Sequence, residues 1–221
     1  MGRRSVPKID PTLDLSRHLF TLEQLARPFD PATVFGRHGP LEVEVGSGKG
    51  LFLRNSAAAN PEVLFLGIEL AHKYARYAAA QLAKRGLANA AVIDGDALAF
   101  FSQWLADRSA QAVHVYFPDP WWKKRHRKRR VMNEGFLANV ERVLTPGGAL
   151  HFWTDVEEYF QSTCELIAQR TALLGPFPVA ESPADHDLDY RTHFERRMRQ
   201  HNEAVFRAEY RKAASAEQPP A

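Results

Sequence analysis

The sequence contains a single cysteine, Cys164, and no apolar run that approaches membrane-spanning length. One cysteine excludes an internal disulfide and offers no ligand spacing for a metal ion, so we expect no metal site. The opening segment, MGRRSVPKIDPTLD, is charged and no apolar stretch follows it, which argues against a secretory signal. These absences predict a cytoplasmic protein without membrane contact.

Positive charge is concentrated in one segment of the chain. Across 221 residues, 29 Lys and Arg face 26 Asp and Glu, which gives a formal net charge of +3. Seven of the eight residues from Lys123 to Arg130 are basic, and the rest of the chain alone would carry −4. A cationic segment on a mildly acidic body favours a polyanionic partner.

Alternating strand and helix patterns begin at Leu41, which predicts a single-domain α/β fold. The expected architecture is a Rossmann-like, doubly wound, mostly parallel sheet with helices on both faces and a C-terminal antiparallel edge element. The expected strands are Leu41–Val45, Val63–Ile68, Ala90–Ile93, Ala112–Phe117 and Ala149–Trp153. The expected helices are Leu51–Ala59, Ala71–Arg85, Ala97–Leu105, a helix capped by Asn133 that runs to Val143, and Val156–Thr171.

The flanking segments are less regular. We interpret residues 1–40 as an N-terminal arm that can stay flexible until a partner binds, with a short helix near residues 21–26. Residues 41–212 would form the α/β domain, and residues 213–221 a disordered tail. Within the domain, three prolines mark residues 175–190 as a loop, and two further elements follow, the second a strand.

A glycine-rich turn, GSGKG, joins the first expected strand to the first helix. Its residues Gly46, Gly48 and Gly50 let the backbone turn tightly and lie against a ligand. Leu51 stands where a dinucleotide fingerprint needs its third glycine, which disfavours a nicotinamide dehydrogenase. Glu44, just before the turn, fits a ligand with an exposed amine and no pyrophosphate, such as S-adenosylmethionine.

Two more carboxylates follow the next two expected strands. Glu69 is placed to accept from ribose hydroxyls, and Asp96 from an adenine amino group. With Glu44 they would share the rim where open α/β sheets bind ligands, at the carboxyl ends of the strands. The alternative is a set of ordinary turns with scattered surface acids, which three acids at successive strand ends make less favourable.

Asp119 lies between Pro118 and Pro120 after the fourth expected strand. The prolines restrict the backbone, so the carboxylate would be held in a fixed direction facing a transferable methyl group. The alternative is an Asp that only shapes the turn. Trp121 and Trp122 follow, either to stack on an unpaired base or to pack beneath the loop.

The corner and the basic segment, PDPWWKKRHRKRR, resemble the P-D-P-W-x-K-x-R-H-x-K-R-R signature of the bacterial tRNA (guanine-N7)-methyltransferases. The similarity extends from Leu41 to about Glu195. It implies a protein that transfers a methyl group from S-adenosylmethionine to N7 of a guanine in the variable loop of tRNA.

The resemblance also implies roles for individual residues. The implied cofactor-binding residues are Glu44, Gly46, Gly48, Gly50, Glu69, Asp96 and Asp119, of which Asp119 is also catalytic. The implied substrate contacts are Lys123, Asp155, Thr192, His193, Phe194 and Glu195. The implied RNA-contacting residues are Arg125, His126, Arg127, Lys128, Arg129 and Arg130. His193 stands where the family has lysine, so a permanent charge is lost at neutral pH.

Other interpretations stay open at this point. The same fold could methylate another RNA or a small amine, or it could bind RNA without turnover. Asp155 could cap the following helix, and Glu195 could form a surface ion pair with neighbouring arginines. The sequence is compatible with a monomer or a homodimer.

Overall fold

The computed structural model describes residues 6–181, 183 and 190–214, without the side chain of Lys124. Most of the predicted tail, residues 213–221, lies outside these described residues. The strands are β1 Leu19–Thr21, β2 Leu41–Val45, β3 Leu64–Glu69, β4 Ala90–Asp94, β5 Ala110–Tyr116, β6 Leu144–Thr154, β7 Leu174–Pro178 and β8 Phe206–Arg211. The helices are α1 Pro31–Phe35, α2 Leu51–Ala59, α3 His72–Ala83, α4 Ala97–Gln103, α5 Glu134–Val143, α6 Glu157–Arg170 and α7 His193–Gln200, with 3-10 turns at Leu22–Gln24 and Lys124–Arg129.

The strands form one eight-stranded sheet in the order β1-β4-β3-β2-β5-β6-β8-β7. Strands β1 to β6 pair in parallel, whereas β8 runs antiparallel to both β6 and β7. The register sets Val45 beside Ile68 and Val115, so the carboxyl ends of the central strands meet at one edge. The predicted doubly wound, mostly parallel sheet with an antiparallel C-terminal part is confirmed.

Apolar side chains cover both faces of the sheet because the central strands alternate between two buried layers. In β3, Leu64 and Leu66 enter the larger cluster, which α4, α5 and α6 cover. The neighbouring Phe65 points to the opposite face, where it packs with residues of α2 and α3. Helices therefore lie on both faces, as a parallel sheet requires.

Part of the predicted N-terminal arm belongs to the sheet. Leu19–Thr21 pairs in parallel with β4 as the outer strand, and Phe29 and Phe35 enter the core. The expected helix near residues 21–26 is only a three-residue 3-10 turn. The strand was missed because three residues are too few to show an alternating pattern.

The loop expected at residues 175–190 was wrong at its start, where β7 pairs antiparallel with β8. Pro176 and Pro178 suggested a loop, but prolines are tolerated in a strand at the edge of a sheet, where an amide N–H is not needed. The rest of that prediction falls largely outside the described residues.

Two C-terminal elements and one cap agree with expectation. The first element is helix α7 and the second is strand β8. Asn133 caps α5, because its Oδ1 accepts from the backbone N–H of Phe136 at 3.0 Å. Throughout the described part of the chain, no helix has both the length and the apolar character needed to cross a bilayer.

Candidate active site

The GSGKG turn lies at the carboxyl end of β2 and opens α2. Gly46, Gly48 and Gly50 have φ angles of +75°, +55° and +72°, a region that side chains other than glycine rarely adopt. A Cβ on Gly50 would lie 2.8 Å from the Cβ of Ala78 in α3, whereas one on Gly46 would meet nothing within 4 Å. The third glycine therefore allows α2 to start against α3, and the first leaves open backbone for a ligand.

Glu44 is buried directly beside this turn, with 3% of its surface exposed. Its Oε2 atom has no hydrogen-bond partner among the described residues. Burial raises the pKa of Glu44 well above its usual value, and the nearby Glu69 charge adds to the effect. A buried carboxylate without a partner is costly, so the site fits a ligand that brings a positive charge.

The Glu69 carboxylate holds the backbone on both sides of the site. One oxygen accepts from the N–H of Gly48 at 2.9 Å, and the other accepts from the N–H of Ala71 at 2.8 Å. Glu69 thus ties the end of β3 to the glycine turn and to the start of α3. Each oxygen retains a lone pair for a further donor.

Asp96 follows β4 at the same edge of the sheet and is exposed. Its Oδ1 caps α4 by accepting from the N–H of Leu98 at 2.8 Å. Leu70 directly follows Glu69 and is 75% exposed, and Leu98 lies two residues after Asp96 and is 37% exposed. The edge therefore presents apolar side chains beside two carboxylates.

A cavity of about 600 Å³ lies between the glycine turn and α7. Glu44, Gly46 and Gly48 line one side, and Tyr116 and Phe117 line the wall at the end of β5. The opposite side is formed by Thr192, His193 and Phe194, together with Arg196, Arg197, Gln200 and His201. Three predicted substrate contacts thus lie across the cavity from three predicted cofactor residues.

Helix α7 is fixed at its first turn by Thr192 and Glu195. The Thr192 hydroxyl accepts from the N–H of Glu195 at 3.0 Å. Glu195 is buried and turned away from the cavity: one oxygen accepts from the N–H of Arg191 at 2.8 Å, and the other pairs with Arg207 at 3.4 Å and Arg199 at 3.6 Å. Of the four residues in the THFE segment, Glu195 is the one that does not line the cavity.

Several cavity residues were missed by the sequence analysis. Arg196, Arg197 and Gln200 follow the predicted His193 after three, four and seven residues, which places them on the same face of a helix as His193. That spacing becomes informative only once the segment is known to be helical. Lys49 and Tyr77 also line the cavity and gave no signal of their own in the sequence.

Tyr116 was read only as part of an apolar strand, yet its hydroxyl joins a buried polar network. Arg191 donates to the hydroxyl oxygen at 3.3 Å, and the hydroxyl lies 2.9 Å from Nδ1 of His114. Nε2 of His114 is 2.8 Å from a Glu42 oxygen. Burial lowers the pKa of His114, so the neutral ring accepts from Tyr116 and donates to Glu42.

The turn at Pro118, Asp119 and Pro120 is bounded by two residues with left-handed backbone. Phe117 and Trp121 have φ angles of +50° and +46°, which are unfavourable for bulky side chains. Asp119 is exposed, and its Oδ1 accepts from the N–H of Trp121 at 3.0 Å. The carboxylate therefore stabilises its own turn through one oxygen, and Asp119 is exposed beside the cavity wall at Tyr116 and Phe117 without lining the cavity itself.

The two tryptophans differ in environment. Trp122 is 69% exposed. Trp121 is half-buried, with the His126 ring centroid 5.8 Å away and the Arg129 guanidinium 5.1 Å from its ring. Packing beneath the loop therefore applies to Trp121, whereas Trp122 leaves an aromatic face open.

The basic segment forms a 3-10 turn at Lys124–Arg129 beside the Asp119 corner. Its side chains fall into two groups. Arg125, Lys128 and Arg129 are exposed. Arg127 and Arg130 pair with Glu158 of α6 at 3.2 Å and 3.0 Å, and Arg130 is only 8% exposed.

Lys123 and Asp155 do not line the cavity. Lys123 is exposed after the corner, and Asp155 follows β6 in a half-buried position. Burial raises the pKa of Asp155. The residue that caps α6 is Val156, not Asp155, so the capping alternative for Asp155 is wrong.

The chain is similar to known methyltransferases in sequence. A family model described as "Putative methyltransferase" matches residues 38–208. A tRNA (guanine-N(7)-)-methyltransferase of Rhodopirellula baltica is 50% identical over 218 residues, which cover 96% of this chain and 80% of that protein. A protein of the same name from Alcanivorax borkumensis is 36% identical over 181 residues, covering 80% of this chain and 74% of that one.

Solved structures show the same fold at low sequence identity. An S-adenosylmethionine-dependent methyltransferase from Aquifex aeolicus superposes with a TM-score of 0.55 at 17% identity, covering 83% of this chain and 90% of that one. The aminoglycoside resistance methyltransferase NpmB1 superposes with a TM-score of 0.54 at 17% identity, covering 81% and 90%.

Proposed function

The chain belongs to the tRNA (guanine-N(7)-)-methyltransferase family, and we propose that it transfers the methyl group of S-adenosylmethionine to N7 of a guanine in the variable loop of tRNA. The observation that carries this proposal is the meeting, at one edge of the sheet, of an unpartnered buried carboxylate, an open glycine turn and a proline-braced aspartate. A cationic segment adjoins that edge.

Glu44 and the glycine turn are suited to the amino-acid end of the cofactor. The buried carboxylate of Glu44 would pair with the cofactor's ammonium group, which supplies the charge that the site lacks. Open space at Gly46 leaves the backbone accessible. The site therefore fits the cofactor through the charge of Glu44 and the open backbone at the glycine turn, and neither feature requires a ligand with a pyrophosphate.

Glu69 and Asp96 are suited to the adenosine end. Glu69 would accept from ribose hydroxyls with its remaining lone pairs while it holds the glycine turn. Asp96, whose Oδ1 caps α4, would accept from the adenine amino group through its other oxygen. The exposed Leu70 and Leu98 would cover the faces of the base with apolar surface.

The reaction needs alignment more than acid–base chemistry. Bound S-adenosylmethionine supplies a methyl group on a positively charged sulfur. Guanine N7 has a lone pair and no hydrogen, so the carbon–nitrogen bond forms as the carbon–sulfur bond breaks, and the positive charge moves onto the purine. Asp119 would provide a negative field where that charge develops and would orient the base.

We propose that the target guanine is held between the Asp119 corner and α7. Thr192, His193 and Phe194 line the cavity and would contact the base, and Lys123 and Asp155 would contact the nucleotide at its rim. Glu195 is occupied by backbone and arginine partners, so it would act by fixing α7.

The exposed basic side chains would hold the RNA backbone. Arg125, Lys128 and Arg129, with His126 beside them, would contact phosphates without reading sequence, and Trp122 would offer a stacking surface. We expect the enzyme to work in the cytoplasm, as a monomer or a homodimer.

The test is to incubate the purified protein with methyl-labelled S-adenosylmethionine and unmodified tRNA, and then to identify the product nucleoside by mass spectrometry. We expect 7-methylguanosine located in the variable loop. A different methylated nucleoside would indicate the alternative of another RNA substrate or position. Absence of label despite tRNA binding would indicate a non-catalytic RNA-binding protein.

A further inference from the structure

Arg130 ends the basic segment, but its environment differs from that of the exposed residues before it. The residue is 8% exposed, whereas Arg125, Lys128 and Arg129 face solvent. Its backbone carbonyl accepts from the Asn133 side chain at 3.1 Å, next to the start of α5. Sequence similarity groups Arg130 with RNA contacts, yet its guanidinium is directed into the protein.

The guanidinium joins the corner to helix α6 through three contacts. Nε donates to the carbonyl oxygen of Pro120 at 2.8 Å, and Nη2 donates to Glu158 at 3.0 Å. The guanidinium also lies over the ring of Tyr159, 4.3 Å from its centroid. The hydrogen bond from Arg130 is the largest of the effects that lower the pKa of Glu158. A planar group with fixed donors makes this set of contacts, and a lysine cannot reproduce it.

The corner requires such support because its backbone is unfavourable on both sides. Phe117 and Trp121 are left-handed, and turns of this kind persist only where surrounding structure holds them. The hydrogen bond from Asp119 to the N–H of Trp121 stabilises the turn from within. Arg130 stabilises the same turn through its hydrogen bond to the carbonyl of Pro120, the residue after Asp119.

We propose that Arg130 is a positioning residue that fixes the Pro120 carbonyl against α6 and thereby sets the direction of the Asp119 carboxylate, with Glu158 and Tyr159 as its anchor. The proposal rests on the proposed function, because it assigns Arg130 a role in that reaction. It removes Arg130 from the RNA-binding surface and leaves phosphate contact to the exposed residues.

The decisive variant is Arg130→Lys, which keeps the positive charge and loses the planar geometry. We expect kcat to fall by about tenfold to a hundredfold, since small misplacements of a catalytic group have effects of this size. The KM for tRNA and the salt dependence of tRNA binding should stay as in the wild type. Full kcat with a raised KM, or a shallower salt dependence, would overturn the proposal in favour of RNA contact.

The matched comparison within the segment is Arg125→Gln. Because Arg125 is exposed, this variant should raise the KM for tRNA and reduce the salt slope, which is the opposite pattern to that expected for Arg130→Lys. Arg170→Lys serves as the control on α6, where Arg170 forms a surface pair with Glu134 at 3.5 Å. Cofactor affinity should be unchanged in both lysine variants, and thermal unfolding should be unchanged in Arg170→Lys.

The Glu158→Ala variant distinguishes RNA contact from positioning, because the two roles predict changes of activity in opposite directions. If Arg127 and Arg130 were RNA contacts, removing their acidic partner would free both for phosphate and raise activity at low tRNA concentration. If Arg130 positions the corner, loss of its anchor lowers kcat, and Glu158→Gln restores part of it by keeping an acceptor. An unchanged or raised kcat in Glu158→Ala would contradict the proposal.

The outcomes distinguish an error in the positioning role of Arg130 from an error in the proposed catalytic role of Asp119. Should Asp119→Ala remain active, the catalytic role of Asp119 is wrong whatever Arg130 does. Should Asp119→Ala be inactive while Arg130→Lys keeps full kcat, only the positioning role is wrong.

Discussion

The carboxylate of Glu69 accepts a hydrogen bond from the backbone N–H of Gly48, with 2.9 Å between the atoms. This bond links the ends of two neighbouring parallel strands at the point where the cofactor is proposed to bind. Glu69 therefore shapes the glycine turn before any ligand arrives, and its proposed contact with ribose is a second task for the same group.

Replacing Glu69 by alanine should weaken S-adenosylmethionine binding by about tenfold to a hundredfold. Hydrogen bonds that involve a charged group are worth about 1.5–3 kcal/mol each, and tenfold in affinity is about 1.4 kcal/mol. Titration calorimetry measures the change directly. Glu165→Ala, which removes an exposed acid from α6, is the control, and equal affinities in the two variants would refute the assignment.

The buried Glu44 should make the stability of the ligand-free protein depend on pH. Its folded-state pKa is raised well above 4.5, so the folded protein keeps the proton after the unfolded chain has lost it. The contribution of Glu44 to the unfolding free energy is therefore fully present below about pH 4.5 and is lost as pH rises toward the folded pKa.

Urea unfolding of wild type and Glu44→Gln across pH 4–8 measures this contribution. We expect wild type to lose stability relative to Glu44→Gln as pH rises, with a slope of up to about 1.4 kcal/mol per pH unit. Parallel stability curves for the two proteins would show that Glu44 ionises normally.

Asp119→Ala should abolish methyl transfer while leaving S-adenosylmethionine affinity within a few fold of wild type. The carboxylate is exposed at the outer corner, and its proposed partner is the developing charge on the base. Single-turnover kinetics and calorimetry on the same protein separate the two effects. A large loss of cofactor affinity would mean that Asp119 mainly holds the cofactor.

Neutralising the exposed basic residues should weaken tRNA binding in a salt-dependent way. For Arg125, Lys128 and Arg129 changed together to glutamine, the slope of log K against log salt should decrease by about 0.7–0.9 for each lost phosphate contact. Binding to tRNAs of different sequence should weaken equally. An unchanged slope would show that these side chains do not touch the RNA.

Gly50→Ala should destabilise the fold more than Gly36→Ala. Both positions have φ near +70°, so each variant carries a left-handed alanine that costs about 1–2 kcal/mol. Only at Gly50 would the new Cβ also clash, 2.8 Å from Ala78, which adds about 1–3 kcal/mol. Equal losses in urea unfolding would mean that α2 and α3 move apart at little cost.

Local patterns were sufficient to predict the parallel half of the fold. Strand β2 and helix α2 match expectation residue for residue, because a short apolar strand, a glycine turn and an amphipathic helix are each specified by neighbouring residues. Strands β1 and β7 were missed because a three-residue strand and a proline-rich edge strand owe their pairing to partners distant in the sequence.

The sequence was enough to place candidate site residues at strand ends, but it did not show how their side chains are directed. Glu44 and Asp119 were predicted from such positions. The inward direction of Arg130 and of Glu195 could not be found, because both are charged residues in charged segments, and only tertiary packing turns them toward Glu158 and Arg207. A run of basic residues in a sequence does not show which of their side chains face solvent.

The side of the cavity that Thr192 and α7 form is synthesised after the side that the glycine turn forms. The glycine turn and the Asp119 corner are translated well before α7 and β8, which are the last of the described elements to leave the ribosome. A nascent chain can therefore assemble its cofactor half while the wall opposite is still missing. Only when Thr192 and the residues after it emerge can the enclosure form, so a ribosome-bound precursor would lack the side of the cavity that faces the glycine turn.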